Sequence, residues 1–65
     1  MKNYIVVHLY KGRNVSRFDY EADKDKALKF AKSLWNEYRD LANAQLHEII
    51  IIEEFTREVI ATFSA

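Results

Sequence analysis

The chain has no cysteine, no proline, a single glycine and no net charge, and several of these absences exclude a class of function. Without cysteine there is no disulfide staple, no thiolate zinc site and no cysteine nucleophile. One glycine is too few for a phosphate-cradling loop of either the P-loop or the dinucleotide type. No apolar run is long: the longest unbroken aliphatic stretch is Ile49 to Ile52, far short of the ~20 residues that span a bilayer. Met1 to Tyr10 lacks the apolar stretch and small-residue cleavage site of a signal peptide, so the expectation is a soluble cytoplasmic protein. Ten basic side chains balance ten acidic ones, whereas a nucleic-acid binder normally carries a net basic footprint.

What is present is enough for one small folded domain over residues 1–65, near the lower limit for a single core. The 49% hydrophobic content argues against disorder. The charge is unevenly spread. Residues 1–33 hold eight basic and four acidic groups, and residues 34–65 hold two basic and six acidic ones. Such a dipolar chain suits self-association or a mixed-charge partner, and it also suits an ordinary solvated surface.

Asn3 to Tyr10 has the aliphatic and aromatic composition of a strand. Lys11-Gly12-Arg13-Asn14 is a turn, and Val15 to Glu21 alternates Ser16, Phe18 and Tyr20 against Arg17, Asp19 and Glu21. A two-residue loop at Gly12-Arg13 sets Leu9 against Ser16, Val7 against Phe18 and Ile5 against Tyr20. Asp23 caps a helix expected to run to about Asn43. Its apolar residues, from Ala27 and Leu28 through Trp35 and Tyr38 to Ala42, fall within an arc of about 160°, broad enough to cover a sheet. Leu46–Phe55 and Glu58–Ser64 form a second hairpin around Glu54-Phe55-Thr56-Arg57, whose lack of glycine leaves its register open. The expected fold is α+β, a two-layer β-β-α-β-β sandwich: a four-stranded antiparallel sheet with one helix packed on one face. Strand 1 or strand 2 is expected beside the second hairpin.

One helix covers one face. The face with fewest charges holds Ile5, Val7, Leu9, Phe18, Tyr20, Ile50, Ile52, Val59, Ala61 and Phe63, and is assigned to it. The other face then carries Tyr4, Val6, His8, Tyr10, Ile49, Ile51 and Ile60, joined by Val15 and Phe55, with Arg17, Asp19, Glu21, Glu53 and Glu58 among them. An open apolar patch with a charged margin marks an interaction surface. Those seven residues are therefore the expected interface of a homodimer or of a complex with a protein partner. The protein is expected to be an interaction module of accessory, regulatory or inhibitor type.

The alternative is single-stranded nucleic acid, with Tyr4, His8 and Tyr10 stacking bases and Lys11, Arg13 and Arg17 meeting phosphates. Lys24, Lys26, Lys29 and Lys32 form a second basic cluster along the helix. Against this, Asp19, Glu21, Glu53 and Glu58 share the stacking face and repel the phosphate backbone. His8 and His47 could approach Glu53 or Asp19, but their spacing fits no recognised metal motif, and no cofactor or metal is expected. Glu48, read as core-facing, is the one carboxylate placed for a raised pKa. No serine or threonine has a nucleophile's setting, and enzymatic activity is not expected.

Overall fold

The structure, a computed structural model, describes residues 3–65, the side chain of Glu21 excepted. The strands β1 (Asn3–Tyr10) and β2 (Arg13–Glu21) precede the helix α1 (Lys24–Tyr38). A single 3-10 turn at Ala44–Leu46 leads into β3 (His47–Glu53) and β4 (Val59–Ser64). All neighbouring strands are antiparallel, in the order β2-β1-β3-β4, so β1 and β3 form the middle of the sheet. This is the α+β sandwich expected from the sequence.

Local chemistry explains each element. The first hairpin turns at Lys11-Gly12, one residue earlier than the sequence suggested, with Tyr10 paired to Arg13. Both turn residues have positive φ, 54° and 79°, as tight hairpin turns require, and only the second is glycine. A Cβ at Gly12 would meet nothing within 4 Å, so the demand there is purely conformational. Gly12→Ala is expected to cost about 1 kcal/mol in urea denaturation, and Gly12→Asn distinctly less, because asparagine tolerates the left-handed region.

The helix starts at Asp23, whose Oδ1 accepts the Lys26 amide at 3.0 Å. It ends at Tyr38, five residues short of the expected Asn43. Three-residue backbone bonds, from the Leu41 amide to the Tyr38 carbonyl and from the Ala44 amide to the Leu41 carbonyl, turn the chain back towards β3. At the β3–β4 turn the Glu53 carboxylate substitutes for the absent glycine. It accepts the amides of Phe55 (3.1 Å) and Thr56 (2.8 Å) and the Thr56 hydroxyl (2.7 Å). Arg57 supplies the left-handed residue at φ 65°.

The core decides which face is covered. Tyr4 and Val6 of β1, Ile49 and Ile51 of β3, and Ala27 and Ala31 of α1 form one buried cluster. Phe18, Tyr20, Ile60, Ala61 and Phe63 from the edge strands pack against it, and Phe30 of the helix lies 4.8 Å from the Phe18 ring. The edge strands thus turn towards the helix Phe18, Tyr20, Ala61 and Phe63, as assigned from the sequence, but Val59, also assigned to it, lies on the bare side, because the extra residue Ile60 takes its place against the core. The middle strands do the opposite. Tyr4, Val6, His8, Ile49 and Ile51 lie beneath the helix, and Ile5, Val7, Leu9, Ile50 and Ile52 alternate with them on the bare side.

Two irregularities cause the exchange. One lies opposite His8/Leu9, where Val15 is extra in β2, and the other opposite Ile51/Ile52, where Ile60 is extra in β4. An extra residue reverses the phase of alternation beyond it. Val6 therefore pairs with Phe18, and Ile51 with Ala61.

Candidate interaction surface

The residues expected to form an interface do not lie on the open side. Tyr4 is 9% exposed, and Val6, Ile49 and Ile51 are at 0%, all within the helix-covered core. Ile60 packs on the same core from its bulge. His8 and Tyr10 belong to a cluster of rings at the C-terminal end of the helix. Tyr38 lies 4.4 Å from His8 and 4.6 Å from His47, and Tyr10 lies 4.8 Å from His47, by ring centroids. His8 Nε2 and His47 Nδ1 are 3.0 Å apart and share one N–H between them. Burial, followed by the neighbouring His47, holds the His8 imidazole below its usual pKa.

Neither carboxylate proposed as a neighbour of the histidines reaches them. Glu53 stands at the opposite end of β3, and Asp19 points to the other face of the sheet, level with Ile5. The base-stacking surface of the nucleic-acid reading is likewise absent from the open side, because Tyr4 and His8 are buried beneath the helix. Glu48 is not core-facing: it lies on the open side, level with Leu9 and Ser64. The stacked rings escaped the sequence reading, although one signal was there. Placing β1 beside β3 in this register sets Tyr10 directly opposite His47.

The open side is built in rows across the sheet. One row runs Arg17, Val7, Ile50, Thr62, and the next runs Asp19, Ile5, Ile52, Val59. Leu9 extends the apolar stretch along β1. Ile5 and Val7, on a middle strand with neighbours on both sides, are only 3% and 5% exposed. Ile50 and Ile52 are half-buried, and Val59 is 52% exposed. The row ends on β2 are charged. Arg17 Nε donates to Asp19 Oδ1 at 3.2 Å, and both side chains are largely in solvent. The surface is therefore an aliphatic strip with the Arg17–Asp19 pair along one margin and Glu48 at one end.

The edges of the sheet are poorly suited to pairing with another strand. Each edge strand is interrupted by its bulge, and β2 carries Arg13, Arg17 and Asp19. Among the described residues, no helix is long and apolar enough to cross a membrane. Comparison of the chain with protein-family models, with curated proteins and with solved structures finds no match, so its function is read from its own residues.

Proposed function

We propose that this chain is a small protein-interaction module that self-associates through the open face of its sheet. The observation that carries this reading is the group Leu9, Ile50, Ile52 and Val59, which keeps accessible apolar surface on the side away from the helix, around the buried Ile5 and Val7. The apolar surface that these side chains still expose gains free energy from an apolar cover, at about 25 cal/mol per Å². The bulged and charged edges oppose strand addition, which leaves face-to-face packing as the favourable mode. A 65-residue chain without disulfides has a thin margin of stability, and covering its second face adds to it.

The size of the face sets the strength. Four strands about 4.8 Å apart and some seven residues long present about 450 Å² of plane on each copy. That is the small end of specific interfaces and suits a reversible dimer rather than an obligate one. Sedimentation equilibrium is expected to show a monomer–dimer equilibrium with Kd on the order of micromolar. Ile50→Glu, which sets a carboxylate in the middle of the strip, is expected to abolish the dimer while circular dichroism shows the fold retained. Wild-type protein that stays monomeric at several hundred micromolar would overturn the reading.

A further inference from the structure

The arrangement of the rows specifies how two copies meet, and here the structure's own register supplies the argument. Resting on the self-association reading, we infer that the partner is a second copy of this chain, packed face to face about a two-fold axis that runs across the strands between the two rows. A two-fold interface sets each residue against a symmetry-related position, so the surface must complement itself. About this axis the row Arg17, Val7, Ile50, Thr62 of one copy lies over the row Asp19, Ile5, Ile52, Val59 of the other.

Each element of the overlay fits. Val7 lies over Ile5, both already nearly buried, and Ile50 lies over Ile52, so the apolar surface newly covered is chiefly that of the two half-buried isoleucines of β3. Arg17 meets Asp19 twice, side by side along the β2 margin, because the two lie on the same strand two residues apart with opposite charges and the axis sets β2 over β2 of the second copy. Within one copy the pair is exposed, at 52% and 70%, and both side chains are free to re-pair across the interface. The competing two-fold, parallel to the strands, sets β2 over β4. It leaves Arg17 and Asp19 against Thr62 and Val59, with no charge to meet. Head-to-tail packing has no self-complementary row at all.

The test is a charge exchange at positions that no core residue needs. Arg17→Asp gives a copy with acids at both positions, and Asp19→Arg gives one with bases at both. In the inferred dimer each variant alone faces its like twice, so each homodimer is expected to weaken about tenfold or more. Mixed together, the two variants are complementary at both contacts and are expected to form a heterodimer at wild-type affinity. The double variant Arg17→Asp/Asp19→Arg is expected to recover the homodimer. Sedimentation velocity with one variant fluorescently labelled reads all three, and thermal melting checks that each is folded.

A wild-type dimer that Ile50→Glu abolishes, but whose single charge variants bind as wild type or fail to complement one another, overturns this orientation and leaves self-association standing. Wild-type protein that is monomeric throughout overturns both.

Discussion

Ile51→Ala is expected to lose ~2–5 kcal/mol of stability, whereas Ile50→Ala, one residue away, is expected to lose about 1 kcal/mol or less. Ile51 has no exposed surface and packs in the cluster of Val6, Ala27, Ala31 and Ile49. Truncating such a side chain removes its transfer free energy and leaves a cavity, at a typical cost of ~2–5 kcal/mol. A domain of this size has a total stability of only about 3–10 kcal/mol, so the loss is a large share of the whole. Ile50 lies on the opposite side of β3, is half-buried and has no helix above it. Its truncation leaves no enclosed cavity and is expected to cost about 1 kcal/mol or less in dilute solution. Urea denaturation of both variants at low micromolar concentration, below the expected dimer range, makes the comparison. Equal costs, or a larger cost at Ile50, would mean that the helix covers the other face.

Acidification from pH 7.5 to 5.5 is expected to destabilise the protein, with His8 as the principal cause. In the unfolded chain its imidazole titrates near the ordinary value of 6.5. In the fold, burial beneath Tyr38 and the adjacent His47 depress that value. The unfolded state therefore takes up a proton before the folded state does. The stabilisation is fully present above about pH 6.5 and declines as the pH falls from there towards the folded value. Each tenfold weakening of the imidazole as a base removes about 1.4 kcal/mol at acid pH. His8→Phe keeps a ring beside Tyr38 and His47 but cannot take up a proton. Its stability is expected to be much less dependent on pH across the same window. A wild type equally stable at both pH values, or a His8→Phe variant with an unchanged slope, would remove His8 from this role.

The sequence announced the inventory of elements through features that act over a few residues. The charged alternation of β2, the β-branched run of β3, the Asp23 cap and the apolar arc of α1 each pointed to the right structure. The helix end was misread because Leu41 and Ala42 continue the apolar pattern, while the chain must already turn at Arg39 for β3 to reach its place beside β1. The candidate surface was misread for a different reason. Its residues were recognised as two alternative aliphatic sets on β1 and β3, correctly grouped with one another: Ile5 and Val7 with Ile52 and Ile50. The wrong set was placed under the helix.

By itself, then, the amino-acid order determined four strands, one helix, the residues that share a side within β1 and within β3, and the edge-strand residues Phe18, Tyr20, Ala61 and Phe63 that face the core. For β2 the buried side was unambiguous, since Phe18 and Tyr20 alternate with charges, whereas in β4 Phe63 stands between Thr62 and Ser64 but Val59 and Ile60 exchange sides. For β1 and β3 both sides are apolar, and nothing within either strand prefers one. Only the tertiary structure could choose, through the extra residues Val15 and Ile60 that shift the edge strands by one step against the middle pair. The physical reason is that a strand's period of two defines its sides but carries no phase relative to its neighbour. That phase is set by where turns close and where bulges fall, and here it decides that Ile49 and Ile51 hold the core while Ile50 and Ile52 face outward.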